Sequence, residues 1–241
     1  MKTPAIKVTE ISKQLKALAN PAIAEHAQRY FKTGKGEYGE GDQFLGIRVP
    51  VIRAQVRQHK DAGLKDILPL LKSAWHEERL FALLLLVRRY DKGDADERSA
   101  IYNLYLDNTR HINNWDLVDS SAHKIIGRHL ESRDRKILYK LARSNSIWER
   151  RIAIISTFHF IALSQFDDAL KLARLLLNDK EDLIHKAVGW ALREIGKRDI
   201  AIEQTFLQAH YQNMPRTMLR YAIEKFPEPL RKQYLKAGLP T

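Results

Sequence analysis

The sequence contains no cysteine, which removes disulfides, thiolate zinc sites and thiol nucleophiles together. It holds no apolar run approaching the roughly eighteen residues that a membrane-spanning helix needs. Its start, Met1-Lys2-Thr3-Pro4, leads into an amphipathic pattern and not into a signal h-region. A soluble, cytoplasmic protein with no membrane partner is therefore expected. The 9 histidines show no His-Glu-x-x-His pair or other tight ligand spacing. Neither a metal site nor a cofactor is expected.

Glycine is scarce, 11 residues in 241, and concentrates in Lys32–Arg48. That stretch contains Gly34-Lys35-Gly36-Glu37-Tyr38-Gly39, formally a G-x-G-x-x-G. A dinucleotide fingerprint needs a strand before it and a helix after it. Here a helix precedes it, and Glu37, Glu40 and Asp42 would repel a pyrophosphate, so the stretch reads as a flexible loop. Asp91–Glu97 looks faintly like a calcium loop but lacks the EF-hand register and terminal Glu; it reads as a polar loop capping the next helix.

What the chain does have is positive charge: 41 Lys and Arg against 29 acids, a net +12. The excess is uneven. Residues 1–120 carry 19 basic and 16 acidic side chains, residues 121–241 carry 22 and 13. A basic excess of this size suits a polyanionic partner, nucleic acid first. A merely soluble basic surface is the plainer explanation. An acidic membrane surface competes weakly, because no helix pairs a cationic face with a long exposed apolar one.

Almost every segment reads at the helical period. Ile11, Leu15, Leu18 and Ala19 form a first stripe; Asn20-Pro21 ends that helix and starts the next, Ala22–Phe31. Pro50 opens another, with Ile52 and Val56 following. Helices are then expected at roughly 64–72, 75–90, 95–108, 114–130, 134–143, 147–161, 166–177, 182–197, 199–210, 215–226 and 228–237, with no convincing strand. A repeat underlies the series: related segments begin at 75, 112, 148 and 185, spaced 37, 36 and 37 apart. Two helices per unit at that period indicate an all-α fold, an α-α superhelix of HEAT-like repeats. It is expected as one domain over 1–241, with residues 1–50 forming N-terminal helices and the flexible loop, and 51–241 the stacked pairs. Second helices would line a concave basic groove.

The stretch that organises the function is His111-Ile112-Asn113-Asn114-Trp115-Asp116-Leu117-Val118-Asp119-Ser120. Asn113 or Asn114 caps a helix whose inward face is Leu117, Val118, Ser121, Ile125 and Ile126. Trp115, Asp119 and His123 recur at i, i+4 and i+8 on another side. The plain reading is an acid at a helix start beside a tryptophan that completes the core. In the 182–197 helix, Trp190 falls off the apolar stripe onto the line Lys186, Trp190, Arg193, Lys197. An aromatic among cations suits a phosphate backbone with a flat sugar or base nearby. In the 147–161 helix Trp148 and Arg151 lie one turn apart, with Arg150 adjacent. Each alone has a dull explanation, core for the tryptophan and a solvated face for the arginine. Three repeats placing Trp beside a charge at equivalent heights favour a binding surface.

A carboxylate in a DNA-facing groove needs its own account, since Asp119 would repel phosphate. It makes sense if positive charge must be stabilised nearby, as in excision of a cationic alkylated purine. Cleavage of that glycosidic bond puts oxocarbenium character on the deoxyribose. A carboxylate at about 4 Å, at an effective dielectric near 20, is worth on the order of 4 kcal/mol. That is roughly a thousandfold in rate if confined to the transition state. Tryptophan faces add about 0.5–2 kcal/mol each. No general acid is needed for a base that leaves neutral.

At these residues the sequence resembles the AlkD family of DNA alkylation-repair glycosylases, which are HEAT-like solenoids. The likeness runs over most of the chain. It shows in Phe44–Arg53 (Gly-Ile-Arg-Val-Pro-x-x-Arg), Asn114–Asp119, Trp148-Glu149-Arg150-Arg151 and Lys186–Glu194. The resemblance implies removal of N3- and N7-alkylated purines from duplex DNA without a flipped-base pocket. Trp115 and Trp190 would hold the lesion's deoxyribose and Asp119 would supply the catalytic carboxylate. Arg151, or else Arg150, would clamp a backbone phosphate. In one respect the sequence departs from the pattern: Asn114 stands where some active members carry a second aromatic.

The expected protein is thus a monomeric, monofunctional DNA glycosylase whose partner is duplex DNA containing alkylated purines. A lyase step is not expected, since Lys124 points away from Asp119. Two other classes compete. A non-catalytic solenoid binding distorted or branched DNA would tolerate loss of Asp119. A protein-interaction scaffold would show no steep fall of DNA affinity with salt.

Overall fold

The periodicity is realised as helix after helix in a computed structural model that describes residues 8–236. The Met1–Pro4 reading and the last residue of the expected 228–237 helix lie outside them. Among the described residues there is no strand, only an isolated parallel bridge between Gln43 and Trp75. No described helix is long and apolar enough to cross a membrane. The all-α class holds. The chain forms two compact units, Met1–Ser121 and Ala122–Thr241.

The first unit is built from α1 (Val8–Ala17), α2 (Pro21–Tyr30), α3 (Val49–Gln58), α4 (Leu64–Leu71), α5 (His76–Lys92), α6 (Ala95–Asp107) and α7 (Trp115–Ala122). Local chemistry sets the boundaries. Asn20 caps α2 by accepting the Ile23 N–H, with Pro21 in its first turn, and Asp94 caps α6 by accepting the Glu97 N–H. In α1, Ile11 and Leu15 are fully buried, but the helix ends at Ala17. Leu18 and Ala19, expected on the same stripe, are exposed. The axis of the unit is α5, against which α3, α4 and α6 pack. Phe81, Ala82, Leu83, Leu85 and Leu86 are inaccessible all round it, the pattern of a helix covered on every side. Each such large side chain contributes about 1.5–3 kcal/mol by burial.

The Lys32–Arg48 stretch contains no helix, yet it is pinned where a flexible loop is expected. The Glu77 carboxylate, itself buried, accepts the N–H groups of Leu45, Gly46 and Ile47 at 2.8, 2.7 and 3.1 Å. Gly46 has a φ of +80°, and a Cβ there would sit 2.1 Å from the Asn20 carbonyl. Only glycine fits.

The second unit holds α8 (Lys136–Leu141), α9 (Ile147–Ser156), α10 (Phe158–Ala162), α11 (Asp167–Leu175), α12 (Asp182–Gly196), α13 (Ile200–His210), α14 (Arg216–Ala222) and α15 (Glu228–Leu235). Its axis is α12, which packs on α9, α11, α13 and α14. Gly189 permits the closest of these approaches: a Cβ there would meet the Met218 carbonyl at 2.4 Å and Tyr221 Cβ at 2.5 Å. Two expected helices are interrupted. The 147–161 segment breaks between α9 and α10, where the Ser156 and Thr157 hydroxyls donate to the carbonyls of Ile152 and Ile154, both at 2.6 Å. Such back-bonding competes with the helical ladder. The 114–130 segment passes into a wide turn of π geometry over His123–Gly127. Gly127 lets that turn approach the Ser156 carbonyl, which a Cβ would meet at 2.2 Å.

One buried acid makes a prediction. Glu203 of α13 is 1 % exposed, with Oε1 lacking a hydrogen-bond partner. Burial pushes its pKa up to about 8, against the pull of the Arg193 charge. Between its ordinary value and about 8 the folded state holds a proton that the unfolded chain releases. Stability therefore falls as pH rises through that window, by up to about 1.4 kcal/mol per unit. Glu203→Gln should raise the melting temperature clearly at about pH 8.5 and hardly at all at about pH 4.5, as read by thermal denaturation followed by circular dichroism.

Candidate functional site

The helix start at α7 is set by Asn114, whose carbonyl accepts the Val118 N–H and whose Oδ1 accepts the Trp115 N–H at 2.8 Å. Asn114 is fully buried, and its Nδ2 donates to Asp42 Oδ2 at 3.4 Å. The residue at which the sequence departs from the family pattern is therefore a structural cap. Downstream, Leu117, Val118 and Ser121 are inaccessible, which leaves Trp115 and Asp119 half-buried on the opposite side, one turn apart. His123 begins the π turn, so the line does not continue beyond it in α-helical register.

The two acids of Trp-Asp-x-x-Asp differ in what they touch. Asp116 Oδ2 bonds His76 Nε2 at 2.8 Å, and Asp42 Oδ2 takes the other ring nitrogen, Nδ1, at 2.9 Å. His76 and Asp42 are both buried, and Arg79 pairs with the remaining Asp42 oxygen. Although burial disfavours its charge, the Asp116 and Asp42 carboxylates push the His76 pKa up to about 9, so the ring is an imidazolium at neutral pH. Burial likewise works against the Asp42 charge, but the His76 hydrogen bond and Arg79 hold its carboxyl below the usual range. Asp119, one turn beyond Trp115, is half-buried. Its charge is felt by the buried Tyr105 hydroxyl, whose pKa is driven up by burial first and by Asp119 in addition.

Trp115 leans on aromatic side chains that sequence reasoning missed. Its ring stacks on Phe31 at 5.2 Å; Phe31 stacks on Phe44 at 5.0 Å, and Phe44 on the His76 imidazolium at 4.5 Å. Tyr30, 58 % exposed, meets Trp115 edge-on at 6.0 Å. The Tyr30-Phe31 pair at the end of α2 was the available signal. In the sequence it reads only as a helix terminus.

In the second unit α12 carries the expected line. Six of its stripe residues, Ile184, Ala187, Val188, Ala191, Leu192 and Ile195, are buried, while Trp190 is half-buried. The Trp190 ring stands edge-on to Phe158 at 4.6 Å, and its N–H donates to Glu194 at 3.2 Å. The cations of the line carry acid partners: Lys186 with Asp182 at 2.7 Å, Lys197 with Glu194 at 2.5 Å, and Arg193 with Glu224. Exposed pairs of this kind are worth only about 0–1 kcal/mol, so Lys186 and Lys197 exchange partners at little cost.

The Trp148-Glu149-Arg150-Arg151 segment forms the first turn of α9. Trp148 is 8 % exposed and Arg151 5 % exposed, with Arg151 Nη1 donating to the Leu183 carbonyl at 2.5 Å. Arg150 grips Asp179 through Nε at 2.6 Å and donates Nη1 to the Ser144 and Asn145 carbonyls. Spacing put these side chains on a binding face. Here Arg151 reaches the first turn of α12 and Arg150 the Asp179 carboxylate just before that helix. Among the described residues no group of three or more His, Asp or Glu side chains is arranged to hold a metal ion.

With this geometry in hand, the comparisons with known proteins are specific. The family described as DNA alkylation repair enzyme matches residues 11–226. A solved structure described as a predicted DNA alkylation repair enzyme from Enterococcus faecalis shares the fold. It superposes with a TM-score of 0.66 at 17 % identity, covering 87 % of this chain and 97 % of that one. No curated protein matches the chain.

Proposed function

The chain belongs to the DNA alkylation repair enzyme family, and from that premise we propose that it is a monofunctional DNA glycosylase releasing cationic N3- and N7-alkylated purines from duplex DNA. The observation that carries this is the division between the two acids of α7. Asp116 is bound to the buried imidazolium of His76, whereas Asp119 lies half-buried on the Trp115 side. A half-buried carboxylate one helical turn from an aromatic face is suited to an oxocarbenium-like sugar. Asp119 stabilises that charge as the glycosidic bond lengthens. Trp115 presents its face to the same positive sugar, and the alkylated base departs neutral, so no general acid is required; water then adds to C1′ of the sugar and loses its proton to solvent. Trp190 is assigned as an aromatic contact to the DNA sugar, with Lys186 and Lys197 beside it for phosphate. The buried Trp148 and Arg151, and the Asp179-bound Arg150, support the scaffold.

The experiment is release of free 7-methylguanine from methylated duplex DNA, measured beside duplex affinity over a range of salt. Release, together with affinity that falls steeply with salt, is expected. Salt-sensitive binding without release would favour a non-catalytic binder of distorted DNA. No binding at all would sink both.

A further inference from the structure

Outside the α7 line, the first unit contains an open pocket of about 300 Å³ where the end of α4, the start of α5 and the turn before α7 meet the Glu40–Asp42 segment. Lys72 and Arg110, both exposed, reach it from different elements. Neither is paired with an acid among the described residues, unlike the cations along α12. Arg79, also lining the pocket, is 4 % exposed. One of its terminal nitrogens meets Asp42 and the other donates to the Ser73 carbonyl at 2.8 Å. Its Nε–H is buried with no hydrogen-bond partner.

The charges in the pocket do not cancel. Asp42 is held between His76 and Arg79. Glu40 accepts the Gly36 N–H at 2.9 Å and keeps its charge, so the three cations Lys72, Arg79 and Arg110 exceed the two acids Asp42 and Glu40 by one. His111 accepts from Arg110 Nε at 3.0 Å, which marks its ring as neutral. Burial and then the Arg110, Lys72 and Arg79 charges hold its pKa below the ordinary histidine value. Three cations thus converge on one half-buried imidazole, and an oxyanion there would relieve their repulsion.

We propose that this pocket binds one backbone phosphate of duplex DNA through the exposed Lys72 and Arg110, with the charge of the buried Arg79 behind them. It rests on the reading of duplex DNA as the partner, and it adds to the first unit a phosphate contact that the α12 line does not supply. With phosphate bound, His111 gains a reason to take up a proton and so reports occupancy.

Two measurements on the full chain test it, using wild type and the Lys72→Gln/Arg110→Gln double variant, whose changes lie on exposed side chains. Titration with inorganic phosphate should shift the His111 ring signals saturably in NMR spectra and raise its pKa, in the wild type only. The slope of log Kobs for duplex binding against log salt should be shallower in the variant by about 0.9 for the lost contact. A steep wild-type slope that the variant keeps unchanged overturns the proposal and leaves the DNA reading standing. Should phosphate shift His111 while the duplex slope is unaltered, the site takes free phosphate and the assignment to the DNA backbone is wrong. A wild type that binds duplex without salt dependence would bring down the DNA reading and this proposal with it.

Discussion

Asp119→Asn should reduce base release from methylated duplex by about a thousandfold while leaving duplex affinity unchanged or slightly tighter. The magnitude follows from one unit of charge about 4 Å from an oxocarbenium-like sugar at an effective dielectric near 20, on the order of 4 kcal/mol. Asparagine keeps the shape, so the loss isolates the charge. Affinity behaves the other way because a carboxylate near DNA repels phosphate in the ground state. Removing it weakens only the transition state. The adjacent acid supplies the contrast. Asp116→Asn takes a partner from the buried His76 ring, so its main effect should be a lower melting temperature. Single-turnover release under saturating protein, paired with binding isotherms, separates the two. If Asp119→Asn releases base at the wild-type rate, the carboxylate has no catalytic role and the glycosylase reading loses its centre.

Helix identity was legible because periodicity reports directly on which face is covered, as in α5 and α12. The family was legible from short motifs in the right order. Less legible was why those motifs have their form. Gly189 stands before Trp190 because α14 approaches it, and Gly46 because the Asn20 carbonyl occupies its Cβ position; neither glycine touches the proposed chemistry. Trp148 and Arg151 carry the same residue types and spacing as a binding face, yet they are buried. Spacing fixes the angle of a side chain about its helix but not what the neighbouring segment brings against it. The Asp42–His76–Asp116 cluster joins residues 34 and 40 apart in sequence, beyond the reach of any local pattern. In the sequence Asp42 reads as one acid of a flexible loop, whereas its partner is the histidine opening α5.

That cluster sets the largest expected effect on stability. His76→Leu should cost about 3–5 kcal/mol, the penalty for removing one partner of a buried ionic group and leaving the others uncompensated. Here two carboxylates, Asp42 and Asp116, lose a shared cation, with Arg79 left as the cation on Asp42 beside the Asn114 and Gln43 N–H donors. The Trp115–Phe31–Phe44 stack loses its last ring at the same time, so tryptophan fluorescence should report a looser α7 start. pH gives an independent check with a defined sign. The folded pKa of His76, about 9, lies above its ordinary 6.5. Its contribution is therefore complete below about 6.5 and is lost as pH rises through about 9. Glu203, titrating near 8 in the folded state, produces a loss of the same sign at lower pH. The two overlap between about 6.5 and 8, which is why the Glu203→Gln background is the right one for the measurement. In that background, stability should still decline from about pH 6.5 to 9, and adding His76→Gln should flatten the decline. A decline that survives both changes would mean that the ring is not the buried cation joining the loop, α5 and α7. The ordering of the Trp115 face would then need a different source.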